Sequence, residues 1–308
     1  MNITKNKTIY VIFAIVSVYI GFVLYSDITK ISEHFSKIDF ILLLIVLPIE
    51  ICSFFIRSIR QKFLLDEIGV SIPLITNFKI YVAGLSMIVT PGSSGSIIKS
   101  HFLKTSFNYS KSKTAPLVFI ERFHDFLAVT TIIFISLFFS YVWQSFVLVI
   151  VASIFLVIIY LIARKNFLLE KFLSKIKKIK FLSKYIPTSE FTESLVLLTS
   201  WKSILKSWPI GTISLLVEIF SFYYVFKVFE INLNFIEAGQ VVYTSILVGA
   251  LSFLPGGIGL TEGSLIALLV EQGYELSIVT AVVLMLRIVT IWFATGLGFI
   301  FTHKFLKH

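Results

Sequence analysis

Cys52 is the only cysteine in the chain. An intramolecular disulfide is therefore excluded, and so is any cysteine-built zinc or iron–sulfur centre. The five histidines, among them His101, His124 and His303, are scattered without ligand spacing, so no metal and no cofactor is expected. Charge is scarce too. Charged residues make up 14% of the chain, against roughly 25% in soluble domains. No polar stretch is long enough to fold as a separate globular domain. A soluble catalytic module and a nucleic-acid-binding module are both excluded on that ground. What the chain has instead is hydrophobic residues, 57% of the total. Any function sits in a membrane or at its surface.

Apolar runs near the 20 or so residues that cross a bilayer recur at 9–25, 38–56, 74–90, 116–139, 141–163, 208–229, 241–254 and 278–302. Lys5 and Lys7 precede the first run, which ends without a small-residue cleavage site. It reads as a retained helix rather than a signal peptide. Two stretches interrupt this pattern in the same way. Pro91-Gly92-Ser93-Ser94-Gly95 and Pro255-Gly256-Gly257-Ile258-Gly259 both read Pro-Gly-x-x-Gly. Each precedes an arginine by a similar interval: Arg122 lies 31 positions after Pro91, and Arg287 lies 32 after Pro255. Broken backbone at bilayer depth persists only where protein or a water-filled cavity covers it, and a matched pair of breaks points to a transport site. Close helix packing is the alternative role for these glycines.

The basic residues set an orientation. The segment 164–206 holds ten Lys and Arg against Glu170, Glu190 and Glu193, so the positive-inside rule puts it in the cytoplasm. Apolar residues recur in it at helical spacing. It reads either as a basic amphipathic helix on the anionic inner leaflet or as a solvated linker. Lys99, Lys104, Lys111 and Lys113 then fall on the same side, and so do Arg57, Arg60 and Lys62 when 74–90 enters and returns. The acid-rich loops 230–237 and 271–275 suit the outside. The expected architecture is an all-α, polytopic helical membrane protein with six full spans and two opposed re-entrant hairpins, an inverted repeat. It forms a single transmembrane domain over 1–308, in which 1–163 and 207–308 flank 164–206, and both termini are cytoplasmic. If 74–90 crosses fully, the amino terminus moves outside.

Ionisable residues within spans are costly, roughly 2.5–3.5 kcal/mol each on insertion scales, and mark functional sites. Here they are Glu50, Lys79, Glu121, Arg122, Asp125, Glu218, Glu262 and Arg287. Glu121 and Asp125 share a helix face, and Arg122 can pair with Asp125. The cluster is either an ion-pair lock between helices or a cationic site for phosphate, which an arginine fork binds in bidentate fashion. Arg287, deep in the last span, needs an acid, and Glu262 and Glu218 are the nearest choices. Glu218 is also a candidate proton-coupling residue. Helices restarting at the two breaks would add amide donors and positive dipole ends to an anion-attracting chamber. Gly92, Gly95, Gly256, Gly257, Gly259 and Lys99 belong to that candidate site.

Leu254-Pro255-Gly256-Gly257-Ile258-Gly259-Leu260-Thr261-Glu262-Gly263 resembles the Leu-Pro-Gly-Gly-(Ile/Leu)-Gly-x-x-Glu signature of the flippase-like transmembrane region of lysylphosphatidylglycerol synthases and their stand-alone relatives. Glu121-Arg122-Phe123-His124-Asp125 is similar to that family's Glu-Arg-x-x-Asp, and Arg287 falls at its late-helix arginine. The first break departs from the family pattern: Ser96 stands where the family has Glu, and Lys99 where it has Arg. The resemblance implies translocation of polar-headed lipids, such as phospholipids, aminoacyl-phospholipids or polyprenyl-linked sugars, across the cytoplasmic membrane. It does not imply aminoacyl transfer, which belongs to a soluble domain, so the expected protein is not an enzyme. A secondary transporter of a small soluble anion and a non-transporting assembly partner are the alternatives. Gly92-Ser93-Ser94-Gly95 also matches an intramembrane protease motif, for which His124 is the one histidine in a membrane helix.

Overall fold

The structure, a computed structural model, describes residues 28–36, 38, 41–90, 96–140, 142–165, 169, 171, 189–252 and 254–306. The first apolar run, the break 91–95 with Gly92 and Gly95, and most of the basic segment lie outside the described residues. Among the described residues the secondary structure is helical throughout. α1 covers Ile28–Ser36, α2 Ile41–Glu67, α3 Leu74–Leu85, α4 Ile98–Phe107, α5 Lys111–Thr114, α6 Pro116–Ser136 and α7 Trp143–Arg164. α8 covers Ser189–Leu198, α9 Trp201–Val228, α10 Phe235–Leu251, α11 Leu260–Glu271, α12 Leu276–Arg287 and α13 Phe293–Leu306.

Four helices among the described residues are long and apolar enough to cross a membrane: Ile41–Glu67, Trp143–Arg164, Trp201–Val228 and the run Leu276–His303. Their outer faces agree. On α7, Phe146, Val147, Ile150, Val151, Ile154, Val157, Ile158 and Leu161 are all exposed. A contiguous apolar belt of that extent is stable against lipid and not against water. The chain is a polytopic helical membrane protein.

Helix ends follow local chemistry. Asn234 caps α10, accepting from the Ile236 and Glu237 amides while the Glu237 carboxylate accepts from the Asn234 amide at 2.9 Å, a reciprocal capping box. Ser200 accepts from the Ser203 amide and starts α9 at Trp201. Lys202 and Lys206, read from sequence as part of the basic segment, therefore belong to the first turns of a membrane helix. Lys30 on α1 holds Glu275, the residue before α12, at 2.9 Å, and this hydrogen bond keeps the Glu275 carboxyl below its usual titration range.

α2 packs most extensively against α9. The seam is polar and small: Arg57, Arg60 and Glu50 on α2 meet Gly211, Ser214, Glu218 and Ser221 on α9. The sequence reading ended this span at 56 and put Arg57 and Arg60 beyond it, on the cytoplasmic side when 74–90 enters and returns. α2 continues to Glu67, and both arginines sit inside the bundle with acids of other helices as partners. α3 has 12 residues, about 18 Å at 1.5 Å per residue, short of the roughly 30 Å hydrocarbon core. It ends in a turn over 86–90, and α4 packs back against it. α10 and α11 form the second helical hairpin, with Pro255–Gly257 at its tip. α13 packs against α3: Thr302 donates to the Ala83 carbonyl at 3.0 Å, and a Cβ on Gly298 would lie 2.2 Å from the Ser86 nitrogen.

Candidate functional site

The second break is a run of positive φ angles: Gly256 at 60°, Gly257 at 65° and Gly259 at 88°. L side chains avoid this region. Space is also lacking, because a Cβ on Gly257 would lie 2.7 Å from Thr261 Oγ1 and 3.1 Å from the Gly249 Cα. The chain therefore turns tightly and restarts as α11. Glu262, in the first turn, does two things. One carboxylate oxygen accepts the Gly259 amide at 2.7 Å, and the other accepts Arg287 Nε at 2.7 Å. Arg287 thereby ties the break to the end of α12, directly before a π-helical stretch, Ile288–Trp292.

The helix that leaves the first break has a counterpart of opposite polarity. Lys99 on α4 is buried and pairs with Glu121 on α6, and it also donates to Gln61 Oε1 at 2.9 Å. Gln61 in turn holds Asn77, which donates to the Ser58 carbonyl. Gly84 gives the Lys99 stem its room, since a Cβ there would be 2.6 Å from Lys99 Cγ. In both halves, then, a charged residue just after the break pairs with an opposite charge some 30 positions beyond it. In the first half that partner is Glu121, the neighbour of the arginine singled out by spacing.

Between these two tethers lies a cavity of about 820 Å³, within the roughly 300–1,000 Å³ of ligand sites. Its charged side is made by Arg57, Arg122, Asp125, Glu218 and Arg287. Arg57 donates to Glu218 Oε2 at 2.5 Å and to Ser214 Oγ at 3.3 Å, and the Tyr243 hydroxyl also donates to Glu218, at 3.2 Å. Asp125 serves two arginines: Arg60 at 2.6 Å and Arg122 at 3.2 Å. Arg60 stands behind the wall, where Gly211 makes room for its guanidinium. Arg122 is the cation with the weakest hold. Its side chain is 31% exposed, against 9% for Arg287, and its Nε has no hydrogen-bond partner among the described residues.

The rest of the lining is apolar and includes Phe123 and Phe126 on α6 and Phe155 and Ile159 on α7. Phe119, Ile158 and Leu254 also line the cavity and are 40%, 49% and 43% exposed, so the cavity is open at apolar residues. Gly256, Gly257 and Thr261 of the second break line it, and so do Ile88 and Thr90, which lead into the first. A Cβ on Gly256 would touch Val89 Cγ1 at 3.4 Å, so the flanks of the two breaks meet.

Of the residues singled out from sequence, Arg122, Asp125, Glu218, Arg287, Gly256 and Gly257 come together on this cavity. Glu121, Lys99, Glu262 and Gly259 stand one layer behind it as partners of one another and of Arg287. His124 is buried and bonded to Ser207 at 3.0 Å. Sequence reasoning missed Arg57, Arg60 and Tyr243. The i,i+3 spacing of Arg57 and Arg60, with Glu50 two turns before Arg57, was the available signal, masked by the usual rule that paired basic residues after an apolar run are cytoplasmic. Among the described residues no group of His, Cys, Asp and Glu could hold a metal ion.

The sequence was compared with known proteins. It matches a UPF0104 membrane protein of Pyrococcus horikoshii at 28% identity, over 70% of this chain and 72% of the relative. It matches a UPF0104 membrane protein of Methanocaldococcus jannaschii at 24%, over 66% of this chain and 86% of the relative. A third UPF0104 membrane protein, from Methanothermobacter thermautotrophicus, is 34% identical over 93 residues, 30% of this chain and 28% of the relative. Residues 10–298 match the family model of the lysylphosphatidylglycerol synthase TM region, a span that holds both breaks, all four tethering charges and the cavity, and the chain belongs to that family.

Proposed function

We propose that this protein moves lipids with anionic or polar head groups across the membrane through the cavity between α2, α6, α7, α9 and the second break. The observation that carries the reading is the lining of that cavity: three arginines and two acids set among apolar walls, with exposed apolar residues at Phe119 and Ile158. A phosphate would pair with Arg122 while acyl chains stay in hydrocarbon. A small soluble anion would leave the apolar walls without a role, so the lipid reading is favoured over the solute one. The two broken segments act as opposed re-entrant hairpins of an inverted repeat, and the basic end, with 164–206, faces the anionic inner leaflet. On this reading the protein is a transporter and not an aminoacyl transferase.

The test is reconstitution into liposomes carrying head-group-labelled phosphatidylglycerol. Wild-type protein is expected to move label between leaflets. Arg122→Ala removes a charge-assisted contact of about 1.5–3 kcal/mol, which slows movement by about ten- to a hundredfold. Asp125 keeps Arg60 in that variant, so the fold survives. No translocation by folded wild-type protein, or an unchanged rate in Arg122→Ala, contradicts the reading.

A further inference from the structure

Glu50 is the one acid of the buried cluster that the ion pairs do not use. It lies on α2, fully buried, and neither carboxyl oxygen has a hydrogen-bond partner among the described residues. The groups around it are Ser221 and Glu218 on α9, Tyr243 on α10 and Arg57 on its own helix. Tyr81 on α3 and Asp125 on α6 lie beside Arg57 as well. Arg57 is committed elsewhere, 2.5 Å from Glu218. An ionised carboxylate at position 50 would thus be a second negative charge beside an arginine already neutralised. A buried, unpaired ion costs several kcal/mol, far more than a neutral carboxylic acid in the same place.

Glu50 also stands close enough to the cavity wall to matter electrically. Glu218 and Arg57 line the cavity, and Glu50 is directly behind them. With Glu50 neutral, Arg57, Arg60, Arg122 and Arg287 face Asp125, Glu218 and Glu262, so one positive charge is in surplus and draws an incoming anion. Ionised Glu50 cancels that surplus, and the attraction for an anion is lost.

We infer that Glu50 is a proton-binding site whose occupancy sets the cavity's affinity for an anionic head group, so that one proton accompanies each anion. The charges balance: proton and anion enter together, and both leave together when Glu50 deprotonates. From sequence, Glu218 is the coupling candidate. Glu50 suits the role better, because Glu218 is held by Arg57 and Tyr243, whereas Glu50 has no ion-pair partner among the described residues and only Ser221 beside it. The anion in this scheme rests on the lipid-translocase reading; the proton does not.

Two measurements on the full chain in nanodiscs separate them. The first uses no lipid ligand. Infrared spectroscopy at neutral pH is expected to show the C=O band of a protonated carboxyl that disappears in Glu50→Gln and titrates away in wild type as pH rises. The second is binding of short-chain phosphatidylglycerol over a pH series, with inorganic phosphate as a parallel probe. Wild-type affinity is expected to fall with rising pH by between about fivefold and 150-fold, the usual range for coupling between two sites. Glu50→Gln, isosteric with the neutral acid, is expected to hold the low-pH affinity throughout. Absence of the band at neutral pH, or a wild-type pH profile in Glu50→Gln, overturns the proposal. If inorganic phosphate alone binds with this pH dependence, the proton site stands and the lipid reading falls. If the band titrates but neither probe binds, the coupling falls together with the translocase reading.

Discussion

Arg122 and Arg287 stand at nearly equal distances from their breaks in sequence, yet the structure gives them different work. Arg287 is 9% exposed and bound to an acid that also caps a helix; Arg122 is 31% exposed and shares its acid with Arg60. Truncating Arg287 leaves the buried Glu262 carboxylate without its cation, so Arg287→Ala is expected to cost about 3–5 kcal/mol of stability, read as a lowered Tm in detergent. Loss of transport in that variant would therefore say little about ligand binding. The Lys99–Glu121 pair behaves alike. Lys99→Met or Glu121→Gln alone is expected to destabilise by a similar amount, whereas the double substitution Lys99→Met with Glu121→Leu recovers most of it, because no unpaired charge remains. Additive losses in the thermal scan of the double variant would count against a direct pair. These charges were legible as residues. Their partners were not, since pairs such as Arg57–Glu218 and Arg60–Asp125 bridge 161 and 65 positions and spacing rules reach only along one helix.

At the scale of elements, composition marked where apolar helices run and glycine marked where one of them breaks. The signature from Leu254 to Gly263 was readable because positive φ at Gly256, Gly257 and Gly259 demands glycine. Helix ends were less readable. α2 and α9 extend well past their apolar runs, since polar residues that would end a membrane span elsewhere are here paired across the α2–α9 seam. The close approach of α13 to α3 was also hidden. Gly298 looks like any glycine in an apolar run, yet a Cβ there would lie 2.2 Å from Ser86 nitrogen and 2.8 Å from the Leu85 carbonyl carbon. Because the obstacle is backbone, Gly298→Ala must separate the helices, and overpacking of this kind costs about 1–3 kcal/mol. The check is the thermal stability of Gly298→Ala against Gly296→Ala, which meets nothing within 4 Å and is expected to be neutral or better. Equal behaviour of the two would remove the α3–α13 contact from the fold.

For the whole molecule, the two ends differ in charge. Lys62, Lys104, Lys111, Lys113, Arg164, Lys165 and Lys202 lie on α5 or near the ends of α2, α4, α7 and α9, while Glu237 and Glu271 lie at the outer ends of the α10–α11 hairpin and Glu230 and Glu275 in the loops that flank it. Single cysteines at Ser106 and Gln272, both exposed, in a Cys52→Ser background are expected to label from opposite sides of the membrane. Labelling from one side would remove the opposed-hairpin arrangement. The helical membrane plan and the second break were in the sequence; the cavity was not, because it arises where charges distant in the chain converge. The most direct test of the cavity's role is the position of a bound phosphate. In the structure of the full chain in nanodiscs of phosphatidylglycerol, the phosphate is expected within hydrogen-bond distance of the Arg122 guanidinium, with acyl chains leaving past Phe119 and Ile158. A cavity free of lipid under those conditions, or a lipid seated only on the outer belt of α7, would contradict it.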